Sequence, residues 1–340
     1  LPQNVSAFSA RTTAIYKGFR LDAEGAYKIN DPSFTNEYVY NTGNSLYVGG
    51  SYSQKGIGFT ASVRRADNMS FRSERDASFN VATLSFLPPV TKAHTYRLPT
   101  LYPYATQLNG EFGLQSTLYF KIKKGTKLGG HYGWQIAINY SRVNGLDTTH
   151  IMRQVNDTTT QFSRLYKSSF FGSSKKAYFE DFNIEINKKW TKDFKTTLTY
   201  IYLVYDRDVI ESGGNTRKYG VAYSHIGVLE TNYQINDKNA IRCELQHLYT
   251  KNDRGSWAMA LVEYSVSPHW YFTAFDEWNY GNKNKNMRFH YPNVTVAYVK
   301  DAHRISFGYA RQREGLLCVG GICRAVPAFN GFAVSLTTAF

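Results

Sequence analysis

Two cysteines with four residues between them stand in the stretch "REGLLCVGGICRAVPAFNGF" (313–332), Cys318 and Cys323, with Gly320-Gly321 in the gap. A glycine pair turns the chain tightly enough to bring two Cα atoms within bridging range. A disulfide there fits an oxidising compartment, and closing so short a loop contributes about 2 kcal/mol. Two free thiols, or a metal or redox pair, are the rival readings. No histidine sits beside them and the spacing is not Cys-x-x-Cys, so a zinc set would be incomplete. The third cysteine, Cys243 in "AIRCELQHLY", reads as a lone small apolar residue facing lipid.

The 8 histidines are scattered and form no His-x-x-x-His pair. Glu244 and His247 come nearest to a carboxylate–imidazole constellation, but residues three apart on a strand face opposite sides. A hydrolase would need a nucleophile beside a histidine, and no residue is singled out. Neither an enzyme activity nor a cofactor or metal is expected. The more informative set is a row of charges that alternation places together: Arg20, Asp22 and Glu24; Arg64; Glu111 and Lys121; Asp181 and Glu185; Arg242 and Glu244. Charges of both signs on one side either line a water-filled pore or pair across the interior and stiffen it; plain polarity of a wall is the simplest reading. No ring of a single sign emerges.

Those residues share a side only if the chain is built of strands. The closing "NGFAVSLTTAF" (330–340) alternates strictly, with Phe332, Val334, Leu336, Thr338 and Phe340 on one side and Ala333, Ser335, Thr337 and Ala339 on the other. The same period recurs throughout, and helical periodicity is absent over any long window. Strands are expected at 8–16, 19–28, 44–54, 57–66, 78–88, 110–122, 131–144, 177–189, 194–207, 218–235, 239–251, 256–268, 269–281, 288–300, 303–312 and 330–340. They are longer than the usual five or six residues and match the roughly 9 to 11 that a tilted strand needs to cross a bilayer.

Connections fall into two kinds. Lys17-Gly18, Lys55-Gly56, 191–193, 237–239, 267–269 and 301–303 are tight turns; 29–43, 67–77, 145–176, 208–217, 282–287 and 313–329 are long polar loops. Short turns at one end and long loops at the other describe an up-and-down outer-membrane barrel. Apolar rows such as Phe182, Ile184 and Ile186 are too broad and too aromatic for the inside of a closed sheet of this size and must face lipid. Closing the sheet pairs every backbone group, as hydrocarbon demands. Trp134, Trp190, Trp257, Trp270 and Phe340 lie near strand ends, where interfacial girdles place amphipathic rings. Asp276, on the side of Trp270 and Phe272, fits poorly, and 218–235 reads as changing phase near Gly227; a bulge or an extension past the membrane is expected.

The fold class expected is therefore all-β: a large antiparallel up-and-down transmembrane β-barrel of outer-membrane type, with about 16 to 18 or more strands, filling residues 1–340. Composition agrees, with 27 Tyr, 22 Phe and 5 Trp, and no run approaches the roughly 18 apolar residues of a spanning helix. The net charge of +14 is not clustered as nucleic-acid binding requires; lysines gather at turns such as "KIKKGTK" (121–127) and "NKKWTKD" (187–193). Outer-membrane lipid and lipopolysaccharide are the expected partners, with other outer-membrane or periplasmic proteins as further candidates, and no nucleic acid. Placing all tight turns on one side requires an extra segment at 94–107, "HTYRLPTLYPYATQ", for 17 strands. An odd count predicts at least one upstream strand beyond Leu1.

The combination of "RADNMSFRSERD" (65–76), "YPYATQLNGEFG" (102–113), "KLGGHYGWQIAINYS" (127–141), "YFEDFNIEINKKW" (178–190), "ELQHLYTKNDRGSWA" (244–258) and "RQREGLLCVGGICRAVP" (311–327) resembles a Bacteroidota family of outer-membrane proteins of unknown function. The likeness runs over nearly the whole chain and is most specific at the cysteine loop. It implies an outer-membrane location, a barrel fold and additional chain upstream, and it supplies no activity and no functional residues. A porin-like channel for small solutes is expected; the alternative is a non-enzymatic structural or accessory subunit of an outer-membrane assembly, docking through the aromatic-rich 145–176.

Overall fold

The computed structural model describes residues 4–77, 82–154, 160–212, 218–319 and 322–339, with side chains at all of these except 150–165 and 316–325. The strands are β1 (Ala7–Tyr16), β2 (Phe19–Lys28), β3 (Gly43–Gln54), β4 (Ile57–Asp67), β5 (Gly110–Ile122), β6 (Trp134–Gln154), β7 (Thr160–Lys189), β8 (Phe194–Asp206) and β9 (Val221–Gln234). They continue as β10 (Asn239–Tyr249), β11 (Trp257–Val266), β12 (Trp270–Trp278), β13 (His290–Lys300), β14 (His303–Gln312), β15 (Gly315–Val319), β16 (Ile322–Val326) and β17 (Phe329–Thr338). Fifteen of these join in one antiparallel sheet in chain order, β1 to β14 and then β17, while β15 and β16 form a separate hairpin. Among the described residues β1 and β17 are not paired with each other.

Connections at one end of the sheet are tight turns, with the exception of 123–133 between β5 and β6, and the long connections 29–42, 68–109, 207–220 and 279–289 lie at the other. At Lys17-Gly18 both φ angles are positive, 44° and 83°, the conformation whose twist matches the flanking strands. A Cβ at Gly18 would lie 2.8 Å from the carbonyl oxygen of Ser53, so glycine also lets β2 enter beside β3.

The register carries two continuous faces around the sheet. On one, Ala23, Val48, Val63, Leu114, Arg142 and Glu180 follow one cross-strand line. A few residues nearer the turns, Ile138, Ile184, Tyr200 and Gly227 do the same; Leu198, Leu229 and Leu245 form a further line, and Cys243, Val262, Ala274, Val294, Tyr309 and Phe332 carry the face to β17. This belt face holds most of the exposed large apolar side chains, Leu336 at 69% among them. On the opposite face lies a core of Ile201, Leu203, Ile226, Val228, Leu248, Met259 and Leu261, covered by Leu98, Tyr102 and Tyr104 from the β4–β5 connection.

Four sequence expectations change. Residues 78–81 lie outside the described set, and 82–88 form no strand beyond an isolated bridge of Thr83 to Arg72; Pro88 and Pro89 remove two ladder donors at its end. Residues 94–107 form no strand either, but a strap with a 3-10 turn at Pro99–Leu101. Among the described residues the sheet has 15 strands, and the parity stays odd because two expected segments are absent from it together. The stretch 145–176 is largely strand: β6 and β7 run on past the sheet as a ladder with register shifts, Thr148 opposite Ser168 and Gln154 opposite Thr160, as its Thr, Ser and aromatic content favours. Finally, β9 has no register shift at Gly227; its phase looked broken because Ile226 and Val228, on the other face, are apolar too. Asp276 also sits in regular pairing. At the loop end of the belt it accepts the Tyr291 N–H at 3.1 Å and pairs with His290 at 2.5 Å.

Candidate functional site

A 42-residue connection from Asn68 to Asn109 joins β4 to β5, two strands that are already neighbours. Its second half does not stay with them. From Pro88 to Gln107 it crosses the polar face of the sheet, with partners on β4, β7, β9, β10 and β12.

Lys92 donates to Asn183 at 2.9 Å and lies 3.7 Å from Glu185, both on β7. His94 meets Asp181 on the same strand at 2.7 Å. The Tyr96 hydroxyl donates to Glu230 on β9 at 3.3 Å. The Leu98 N–H donates to Gln246 on β10 at 2.9 Å, and Arg97 pairs with Glu277 on β12 and lies over the Phe275 ring, 4.3 Å from its centroid. The strap then returns, with Tyr104 donating to Glu111 on β5 at 2.6 Å. Segments lying across strands cannot add to the ladder, so this one is held by side chains reaching up from the wall.

Both ends of the strap are fixed at one buried ion pair. Arg64 on β4 and Glu111 on β5 are 2.5 Å apart with side chains 3% and 0% exposed. Arg64 also donates to the carbonyl of Pro88 and to the Thr106 hydroxyl; Glu111 also accepts the Gln107 N–H at 2.6 Å. Buried charges are tolerated when paired and fully hydrogen-bonded, and here the extra bonds are the strap itself. Farther along the wall, Arg242 pairs with Glu230 at 3.1 Å, with Glu263 at 2.7 Å and with Glu244.

All ten charges expected on the inner row lie on the strap face by register. Arg64, Glu111, Asp181, Glu185, Arg242 and Glu244 take part in the strap or in the cross-strand network beside it. Arg20 and Asp22 pair with each other at 2.7 Å, Asp22 also accepting from Thr13, away from the strap. Glu24 and Lys121 are exposed. What alternation could not reveal is the strap: Lys92, His94, Tyr96 and Arg97 belong to a segment with no period of its own.

The expected interfacial aromatics divide. Trp134 is on the belt face under the Lys188 ammonium, 4.1 Å from the ring centroid; Trp190 is half-exposed and donates to Thr196 at 2.8 Å; Trp270 is half-exposed on the belt face beside Tyr298. Trp257 departs from the expectation. It lies on the strap face, 2% exposed and stacked on Tyr291 at 5.9 Å, because its strand enters the sheet one residue out of phase with a belt position. Phe340 lies outside the described residues. Cys318 and Cys323 are directly opposite in the β15–β16 register, and their side chains lie outside the described set. Cys243 is a free cysteine on the belt face.

A family model described as "Family of unknown function (DUF6029)" matches residues 1–340. No curated protein matches the chain. Among solved structures, a triple mutant of the Rh. blastica porin is similar over 90% of this chain and 84% of that one, at 11% identity and a TM-score of 0.37. The siderophore receptor PirA from Acinetobacter baumannii is similar over 99% of this chain and 57% of that one, at 11% identity and a TM-score of 0.46. Such scores are too low to carry a functional argument.

Proposed function

Since the chain belongs to the DUF6029 family of unknown function, its role is read from its own residues, and we propose that it forms an outer-membrane β-barrel wall whose inner face carries a constricted, porin-like passage for small hydrophilic solutes. The observation that supports this is the pair of faces. A row of exposed apolar side chains runs across the sheet from Leu21 to Leu336, a surface no soluble monomer keeps in water at that extent. Between Trp134 with Lys188 and Arg142 with Glu180 the belt spans eight residues, about 26 Å along the strand and about 20 Å upright at a tilt of about 40°, against an apolar band of about 25 Å.

Closure follows from parity in the same reading. With 15 strands, β1 and β17 run in the same direction, so an all-antiparallel barrel needs an odd number of additional strands between them. We assign these to chain upstream of Leu1, making residues 1–340 the C-terminal part of a barrel in a Gram-negative outer membrane, of Bacteroidota type, bathed by lipid and lipopolysaccharide. Charges of both signs line the strap, which favours passage of small polar solutes with little sign preference. Conductance of the purified full-length protein in planar lipid bilayers tests it: discrete steps are expected, larger after deletion of 90–104. Silence from both proteins, with the sheet intact, overturns the channel.

A second reading has its own observation. Phe171, on the part of β7 that projects beyond the belt, is 84% exposed. As an accessory subunit the protein would dock a partner there, and a partner retained through mild detergent extraction should be lost with Phe171→Ser.

A further inference from the structure

Where the strap turns at Pro99–Leu101 it meets β15, and the two border an open-sided cavity of about 730 Å³ with the loop-side ends of β8 and β11. Its walls are aromatic: Tyr102 and Tyr205, with ring centroids 5.3 Å apart, and Trp257. Three guanidinium groups reach it, Arg207, Arg254 and Arg313.

These three are not equivalent. Arg207 is compensated twice, by Asp253 at 2.8 Å and Glu211 at 3.2 Å, and lies over the Tyr219 ring. Arg254 and Arg313 have no carboxylate at ion-pairing distance among the described residues. Arg313 donates only to the Glu314 carbonyl, at 3.4 Å. Burial, and then the neighbouring charge of Arg254, push its pKa down. Guanidinium groups do not shed their proton in proteins, so the part-buried Arg313 stays charged beside the exposed Arg254, with the carboxylates of Glu277 and Asp253 acting on it only from beyond ion-pairing distance. Glu314, the remaining acid of the lining, is exposed.

A second feature points the same way. Tyr205 lines the cavity and is 1% exposed, yet its hydroxyl meets no hydrogen-bond partner among the described residues; a buried hydroxyl left so costs free energy unless something else bonds it. The guanidinium also rests close against the base of the hairpin, Arg313 Nη1 lying 2.6 Å from where a Cβ on Gly315 would stand.

We propose that this cavity binds a small organic acid, its carboxylate bridging Arg254 and Arg313, its ring against Tyr102 and Trp257, and a polar substituent on the Tyr205 hydroxyl. The volume fits one drug-sized molecule. Aromatic walls accept the flat face of an aromatic ring or the apolar face of a sugar ring, so the shared chemistry is a ring-bearing carboxylate. The site stands whether or not the sheet conducts.

Titration calorimetry of the full chain in detergent tests it with glucuronate and 4-hydroxybenzoate, against the uncharged glucose and 4-hydroxybenzamide. At least one acid should bind with a Kd of about 1 mM or tighter, and its uncharged counterpart at least about tenfold more weakly. Arg313→Gln and Arg254→Gln should each weaken the acid by about tenfold, while Arg288→Gln, on a loop outside the cavity, should not. Arg313→Lys, which keeps a charge but loses the fork, should fall between. Acids and neutral analogues binding alike, none of the four binding, or unchanged affinity in both glutamine variants would each overturn the assignment.

Discussion

Removing the charge of Glu111 should unseat the strap. The carboxylate is fully buried and serves three donors: Arg64 at 2.5 Å, the Tyr104 hydroxyl at 2.6 Å and the Gln107 N–H at 2.6 Å. Glu111→Gln keeps the volume and one acceptor oxygen but leaves the Arg64 guanidinium buried and unpaired. Breaking one side of such a pair costs about 3 to 5 kcal/mol; with an oxygen retained, about 3 kcal/mol is the reasonable figure, or about a hundredfold in the fraction of molecules with the strap out. The strap holds two trypsin sites, Lys92 and Arg97, both engaged with the wall. When opening is fast relative to cleavage, the cutting rate follows the open population. Limited trypsinolysis in micelles should therefore cut after Lys92 or Arg97 about a hundredfold faster in the variant. Replacing both partners, Arg64→Met with Glu111→Leu, should recover most of the protection, since paired removal leaves no stranded charge. Asp22→Asn, at the exposed Arg20 pair, should change the rate by less than about twofold. Cleavage in Glu111→Gln within about threefold of wild type, with the strand signal intact, would sink the claim that this pair anchors the strap.

Two further outcomes follow from placement. Trp257→Ala should lower unfolding stability in micelles by about 3 to 5 kcal/mol, as loss of a buried aromatic does, whereas Trp270→Ala on the half-exposed belt should cost less than half as much; equal losses would return Trp257 to the interface. For the cysteines, a cross-strand pair lies about 4.5 to 5.5 Å apart at Cα, inside bridging range, so alkylation of the unfolded, unreduced protein should label one thiol, Cys243, and three after reduction. Three labels without reductant would leave Cys318 and Cys323 as free thiols.

How much of this was legible depended on what enforces it. The two-residue period of Phe332 to Thr338, or of Phe182 to Ile186, is imposed by one dry and one wet face, and both signals survive in the sequence because every strand repeats them. The turn ends were legible for a similar reason: Lys17-Gly18 can hardly be anything but a hairpin. The β6–β7 extension was missed because beyond the belt neither face is uniformly dry, so Thr, Ser and Tyr alternate with no apolar row to mark the strand.

The strap left a different trace, in the strands that it covers and not in its own residues. From Leu198 to Asp206, "LTYIYLVYD" is apolar on both sides: Leu198, Tyr200, Tyr202 and Val204 on the belt, Ile201, Leu203 and Tyr205 against the strap. Ile226 and Val228 on β9, Leu248 on β10 and Met259 and Leu261 on β11 repeat the pattern. Strands covered on both faces lose alternation, and a wall facing only water on its inner side has no reason to lose it in four adjacent strands. The apparent phase change at Gly227 and the burial of Trp257 thus have one cause, a segment lying across the inner face. The bank of apolar residues on β8 to β11 places that segment on this side of the sheet. The charges that flank the bank, Asp181 and Glu185 on one side and Glu277 on the other, supply the ends to which a strap bearing Lys92, His94 and Arg97 could bind.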